Sequence, residues 1–443
     1  MPPIPIAPNA WHRNREGLGL WEGRGKVCAT GVGTSPTARR WDEKPETSMG
    51  ALTILAIRKA IADAGIAPEE IDGLVLTPES TTGISKDPNT PPPPGWEKHF
   101  KMASFPQAGI TRGDIDWLLL NMPELKNVKF MMNGPICMSV SFVAAAEAVA
   151  RGLTKTCLVA RGWHNLAGRY YVGVGASALN TASGRFKYSS IWGLPACGTT
   201  AMVFEEYCRK YGKSHDQMAN FVVTSRRNGL MNPDGYYSQH RPEMITVEDY
   251  LTARWIAKPA NIYDNDLPIM AALAVVFTTP ERARDHKQKP VYILSHGQTR
   301  PESMGVVPTL EQWERSTDRM GRILYEGAGV GPDDLDFENM YDGFTLFHQF
   351  HLEGLRYAAR GEKRGYALDL YETDISIEGP NPVSPSGGNN GNGRTRWWNH
   401  RDSILQLQGR SPSQIRKKAE IGVSGAPMPD SCDALIWSAK PPV

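Results

Sequence analysis

The 443 residues hold six cysteines and no Cys-x-x-Cys pair. Cys28, Cys137, Cys157, Cys197, Cys208 and Cys432 are scattered, so neither a cysteine zinc site nor a disulfide framework is readable from their spacing. An excess of one charge is also missing. Forty-nine Lys and Arg against 47 Asp and Glu leave a net charge of +2, which gives no reason to expect nucleic acid or an acidic membrane as partner. No apolar run reaches the ~20 residues that cross a bilayer. The start, MPPIPIAPNAWH, lacks the basic and apolar regions of a secretory signal, and a reducing cytoplasm is the expected location. The basic run Arg416-Lys417-Lys418 reads as a solvated helix end.

What is present points to a packed α/β protein. The length exceeds that of a usual single core, so two or three units are expected. Residues 1–25 are rich in Pro and Gly and read as an arm. Lys26 to Val32 reads as a strand. Residues 48–64 read as a helix: Ile54, Ile57 and Ile61 share helical spacing, Ser48 supplies an N-cap, and Gly65 stops it. Further on, residues 138–151 read as an Ala-rich helix, Thr156 to Ala160 as a strand, 199–211 as a helix, and Ala271 to Thr279 as a buried strand. Val291 to Leu294 reads as the strand that opens the second half.

One unit occurs twice. Ala64-Gly65-Ile66-Ala67-Pro68-Glu69-Glu70-Ile71-Asp72-Gly73 precedes Leu74-Val75-Leu76. Ala328-Gly329-Val330-Gly331-Pro332-Asp333-Asp334-Leu335-Asp336-Phe337 precedes Glu338-Asn339-Met340. Each copy follows an amphipathic helix and carries a Pro, two acids, an apolar residue and an Asp in the same places. Duplication explains the match; two ordinary connections built from favoured turn residues would also produce it.

Four places carry candidate chemistry. Cys137 lies just before the Ala-rich helix, where a helix dipole favours thiolate; a small residue closing a turn would sit there equally well. Tyr341 and Asp342 follow the second-copy strand, and open α/β sheets place ligands at strand C-terminal ends. A tyrosine there suits proton transfer or a purely structural hydrogen bond. The run Gly387-Gly388-Asn389-Asn390-Gly391-Asn392-Gly393 brings backbone close to something, and its N–H groups could hold an oxyanion, or it is a flexible loop. His348 and His351 share a helix face, but no third ligand completes a metal site.

In this order the pieces resemble the thiolase superfamily, specifically the sterol-carrier-protein-type thiolases and thiolase-like lipid-transfer proteins. The motifs that carry the likeness include the repeated unit, the Cys137 turn, and Tyr263-Asp264-Asn265-Asp266-Leu267-Pro268. Asp336 to Thr345 and Pro382 to Gly388 complete them. The resemblance covers residues 26–440 and implies an α/β thiolase fold: two βαβαβ halves in a five-layered αβαβα arrangement. The implied divisions are an arm at 1–25, a first half at 26–164 completed by 266–290, a loop domain inserted at 165–265, and a second half at 291–443.

The departures from that family shape the expected activity. By the resemblance, Cys137 matches the nucleophile, although the usual Ser-Thr-Gly does not follow it. The strand-end histidine is replaced by Tyr341, the second histidine by Arg394, and the late cysteine by Ser424. An ordinary β-ketothiolase is therefore not expected. Tyrosine at the strand end resembles the aldolases that shorten steroid side chains. That branch implies retro-aldol cleavage of a bulky β-hydroxyacyl-CoA, steroid or aromatic, with acyl-CoA as substrate and no cofactor or metal held by this chain. It also implies a homodimer and a small OB-fold, zinc-ribbon partner, with any zinc in that partner. Tyr341 is then the proton-transfer residue and Asp342 its orienting neighbour. Arg394 holds the enolate oxygen or a substrate carboxylate, and Gly387, Gly388, Asn389 and Asn390 line the substrate. A C-acyltransferase or divergent β-ketothiolase using Cys137 covalently and a non-catalytic thiolase-like subunit are the alternatives. Residues 77–106 read as a long loop or lid and Trp397-Trp398 as an aromatic wall, with plain surface or interface the alternative for both.

Overall fold

The computed structural model describes residues 16–77, 92–103, 108–110, 114–134, 139–163, 196–299, 309–425 and 432–442. Nine strands make one mixed sheet: β1 (Cys28–Thr34), β2 (Gly73–Thr77), β3 (Phe130–Asn133), β4 (Thr156–Trp163), β5 (Ala271–Thr278), β6 (Val291–Thr299), β7 (Phe337–Met340), β8 (Ile421–Gly425) and β9 (Cys432–Ser438). Their order is β3-β2-β4-β5-β1-β6-β9-β8-β7. Outward from the β1–β6 seam the two arms repeat each other. β1 runs antiparallel to β5, β5 antiparallel to β4, and β4 parallel to β2. Likewise β6 runs antiparallel to β9, β9 antiparallel to β8, and β8 parallel to β7. The seam itself consists of Cys28 opposite Tyr292 and Ala29 opposite Val291.

The strands that follow the two copies of the repeated unit, β2 and β7, occupy equivalent places, and the unit does the same work in each. Helices α1 (Met49–Ala64) and α5 (Leu310–Ala328) both end on a left-handed glycine, Gly65 at φ 72° and Gly329 at φ 65°. A single 3-10 turn follows each, opened by Pro68 or Pro332 and closed by Glu70 or Asp334. Those carboxylates accept the amides of Ala67 at 3.0 Å and Gly331 at 2.7 Å. Asp72 then accepts the amides of Lys155 and Thr156 at the start of β4. Asp336 accepts those of Glu420 and Ile421 at the start of β8. Each residue type in the repeated pattern thus has one task, performed twice.

Both faces of the sheet are covered. Leu74, Leu76, Leu158 and Ala160 pack toward α1, while Val75 and Val159 face the layer built by α2 (Val140–Ala150) and α8 (Trp398–Gln408). On the other arm, Phe337, Leu435 and Trp437 face that same central layer, and Met340, Val423 and Ile436 face α5. The layers therefore run α1, first arm, α2 with α8, second arm, α5, as the αβαβα expectation requires. Helices α3 (Ala196–Tyr211) and α4 (Ala219–Met231) lie in the chain between β4 and β5, and α6 (His348–Gly354) and α7 (Gly388–Asn392) follow β7. The described part of the arm is anchored: Trp21 is buried and its indole donates to Glu147 at 2.8 Å, which also meets His296.

Two expectations change. Trp397 and Trp398 are buried in the central layer, with Phe142 4.6 Å from Trp397 and the Trp398 indole donating to the Gly393 carbonyl, so they are core and not a wall. The expected lid lies partly outside the described residues. Its described portion places Trp96 in the core against Phe100 and Trp117. Among the described residues, no helix is long and apolar enough to cross a membrane.

Candidate active site

β7 is buried along its whole length, and its C-terminal end delivers residues 341–345. Glu338, on this strand, accepts the amides of Met340 at 2.9 Å and Ser384 at 3.0 Å and faces His348 Nε2 at 3.2 Å. His348 Nδ1 in turn meets the Tyr371 hydroxyl at 2.7 Å. His348 is therefore committed to holding the strand end. Burial keeps His351, beside Trp313, well below the usual imidazole range. Among the described residues, no cluster of three or more His, Cys, Asp or Glu side chains could hold a metal.

Tyr341 is 4% exposed, and its hydroxyl lies directly over Gly343. A Cβ on Gly343 would stand 2.0 Å from that hydroxyl and 2.6 Å from Asp266 Oδ2, so the two oxygens face one another across the glycine. Asp266 is brought there by backbone pairing. Its amide donates to the Gly343 carbonyl at 2.9 Å, and the Arg394 amide donates to Leu267 at 2.7 Å. Arg394, also buried, directs Nε to Asp266 Oδ1 at 2.7 Å and places Nη2 on the same oxygen. Arg394 thus binds Asp266, and Tyr341, the other expected site residue, lies beside the opposite oxygen of that carboxylate. Asp266 stands in the Tyr263 to Pro268 motif, but its role comes from Arg394, 128 residues later, and no local pattern signals it. Arg394, expected to hold the enolate oxygen or a substrate carboxylate, forms a buried ion pair with Asp266.

Asp342 is fully buried, and burial raises its carboxyl from 3.8 to about 7 against the opposing pull of two backbone amides. Those amides belong to Asn389 at 2.7 Å and Asn390 at 3.1 Å. The glycine-rich run was expected to present its N–H groups to a substrate oxyanion. It folds instead as α7, and the carboxylate its amides hold is that of Asp342. Its glycines serve close packing. Gly388, at φ 56°, would drive a Cβ within 2.2 Å of the Asp342 carboxylate, and a Cβ on Gly391 would meet the Ser225 carbonyl of α4 at 2.1 Å.

Beside these residues lies a cavity of about 650 Å³, whose lining does not include Tyr341, Asp342 or Arg394. Asp266 and Asn390 belong to its lining, and Ile245, Ile256, Ile262 and Leu267 give it apolar walls. Of the expected substrate-lining set, Asn390 reaches the cavity, and its side-chain amide donates to the Tyr263 carbonyl at 2.5 Å. Cys197 also lines the cavity, but burial pushes its thiol up to about 11, which disfavours a thiolate. Cys137 lies outside the described residues.

A second buried array was not foreseen. Ser424, where the resemblance would put a late cysteine, accepts from the Trp437 indole at 2.7 Å and meets His400 Nδ1 at 2.7 Å. His400 Nε2 meets Ser139 Oγ at 2.9 Å, and Ser139 faces the Asp433 carbonyl at 3.3 Å. One proton arrangement satisfies every group: Ser424 donates to Nδ1, Nε2–H donates to Ser139, and Ser139 donates to Asp433. Burial lowers His400 to about 3, so it stays neutral and joins β8, α8 and the start of α2 as a fixed strut.

Residues 306–426 match the thiolase C-terminal domain-like family. The chain is 27% identical over 402 residues to the 17-hydroxy-3-oxo-4-pregnene-20-carboxyl-CoA lyase of Mycobacterium tuberculosis, covering 88% of this chain and 94% of that protein. It is 26% identical over 374 residues to a steroid side-chain-cleaving aldolase of Thermomonospora curvata, covering 82% and 85%. The solved Ltp2-ChsH2(DUF35) aldolase superposes with a TM-score of 0.75 at 22% identity, over 94% of this chain and 98% of that one. The chain has the thiolase fold and is similar to the sterol-carrier-protein-type, thiolase-like branch of that superfamily, which resembles the steroid side-chain-cleaving aldolases.

Proposed function

We propose that this chain is a thiolase-fold carbon–carbon lyase that cleaves a bulky β-hydroxyacyl-CoA by a retro-aldol step, with Tyr341 in proton transfer. The observation that carries this reading is the Tyr341 hydroxyl set against Asp266 at the strand end, where the family likeness would put a histidine. Two curated relatives aligned over more than four-fifths of the chain are named as a carboxyl-CoA lyase and a side-chain-cleaving aldolase, which supports the reaction class.

The step needs few groups. The β-hydroxyl proton passes to Tyr341, with Asp266 as the buried acceptor behind it. The oxygen lone pair becomes a carbonyl as the Cα–Cβ bond breaks, and the bonding pair moves into the thioester enolate. A proton returned to Cα yields the shortened acyl-CoA beside a free carbonyl product. Asp342, raised to about 7, is a carboxyl that exchanges a proton near neutrality. Arg394 acts on Asp266 by position. No acyl-enzyme is required, so the reading places no demand on Cys137.

Replacing Tyr341 by phenylalanine keeps the ring in its buried slot and removes the hydroxyl. Release of shortened acyl-CoA from a β-hydroxyacyl-CoA is expected to fall by about 10²-fold or more. Full activity in Tyr341→Phe would remove the residue from the mechanism. A small OB-fold, zinc-ribbon partner is part of this proposal, supported by the superposable two-component aldolase, and any zinc would belong to that partner. So is a homodimer, for which the outer edge of β3, with Met131 half exposed, is the proposed contact.

A further inference from the structure

Arg226 is the one buried arginine in the described cavity wall. It projects from α4, is 6% exposed, and lies flat on Tyr237 with its guanidinium carbon 3.5 Å from the ring centroid. Its Nε is buried with no hydrogen-bond partner; the exposed Glu243 adds a favourable charge, but among the described residues no carboxylate is in ion-pair contact with it. A buried guanidinium keeps its charge, and a buried charge without a counter-ion is expensive unless a ligand supplies one.

The surroundings sharpen this. Arg39 lines the same cavity and directs Nη1 to the Pro268 carbonyl, while Arg241 and Arg254 stand exposed at the mouth. Three acids line the cavity with these four arginines, and two of them are engaged. Asp266 holds Arg394, and Asp249 accepts the Thr246 amide and hydroxyl at 2.7 and 2.8 Å. Glu243, exposed at the mouth, is the third. The inner end of the cavity is therefore cationic, and aliphatic side chains flank it.

We propose that Arg226, backed by Arg39, is a subsite for a carboxylate carried on the acyl part of the substrate, so that the preferred thioesters are those of dicarboxylic acids. This rests on the acyl-CoA reading above and narrows it. The acyl part is favoured over the CoA phosphates by position. Arg39 touches Pro268, two residues from Asp266, and the Tyr237 ring beneath Arg226 feels the Asp266 charge, so the pair lies close to the strand-end chemistry. The phosphates of CoA are held away from the thioester carbon by the whole pantetheine arm, and the exposed arginines at the mouth suit them better.

Titration calorimetry on the full chain with its partner tests this without turnover. The probes are succinyl-, glutaryl- and adipyl-CoA, each paired with the uncharged butyryl-, valeryl- or hexanoyl-CoA, together with adenosine 3′,5′-bisphosphate. The wild type should bind at least one dicarboxylic thioester about tenfold more tightly than its uncharged counterpart. Arg226→Gln should erase that preference and leave the affinity for the bisphosphate unchanged. Arg39→Gln is the second variant should Arg226→Gln fail to fold, and the wild-type comparison needs no variant at all. No preference at any chain length overturns the proposal, as does an equal loss for both thioesters and the bisphosphate in Arg226→Gln. Because binding alone is read, a carboxylate preference that persists while Tyr341→Phe still cleaves would separate failure of the lyase reading from failure of this one.

Discussion

Replacing Asp342 by asparagine makes a quantitative test of the strand-end electrostatics. In the unfolded chain this carboxyl ionises near 3.8; in the folded protein burial holds the proton up to about 7. Between those values the folded state keeps a proton that the unfolded chain has lost, so stability falls as pH rises, by about 1.4 kcal/mol for each pH unit in the window. Below 3.8 both states are protonated and above 7 both are ionised, and the contribution is flat. From about pH 5 to about pH 8 the wild type should lose about 3 kcal/mol that Asp342→Asn does not lose. The variant starts lower, since one amide oxygen must answer the two backbone donors of Asn389 and Asn390, a cost of about 1–3 kcal/mol. Near pH 5 the wild type is therefore the more stable protein, and by pH 8 the gap closes or reverses. Urea denaturation of both proteins across this range, at a shared dependence on denaturant, reads the difference directly. Parallel stability curves would refute the assignment of a near-neutral carboxyl to Asp342.

Two further outcomes are expected. Gly343→Ala would force the Tyr341 hydroxyl and Asp266 apart, since its Cβ falls 2.0 and 2.6 Å from them. Cleavage should drop about 10²-fold with the far-ultraviolet dichroism unchanged, and a retained rate would move the reacting hydroxyl elsewhere. Arg394→Met leaves the Asp266 carboxylate buried without its guanidinium and should cost about 3–5 kcal/mol in denaturant unfolding; adding Asp266→Asn should recover part of that loss, and strict additivity would argue against the pairing.

The parts of the fold that the sequence disclosed are those set by neighbours in the chain. Ser48 and Gly65 bound α1 as read, because caps and left-handed glycines act over one turn. The repeated unit was legible for the same reason, although the task of Asp72 and Asp336 was not, since the amides they accept lie more than eighty residues away. The site suffers from this more. Tyr341 and Asp342 could be placed at a strand end, but Asp266 acquires its role from Arg394, 128 residues later. His400 touches Ser139 across 261 residues, a link that no local pattern encodes. The glycine-rich run was read correctly as close backbone approach. What it approaches, the Asp342 carboxylate and α4, depends on tertiary packing.

The order of strands around the seam also dictates when the sheet is able to assemble. β5 lies at the heart of the first arm, between β1 and β4, yet it is made only after residues 196–265. Until then β1 has no neighbour on that side, and Cys28 must wait for Thr278. The second arm defers its centre still longer, because β9 sits between β6 and β8 and comes from residues 432–438. A chain emerging from the ribosome thus exposes incomplete apolar sheet edges through most of its synthesis, and its closing contacts join distant stretches. Refolding is expected to be slow and concentration-sensitive, and removal of β9 alone should leave the second arm open at its middle and the protein a client of chaperones.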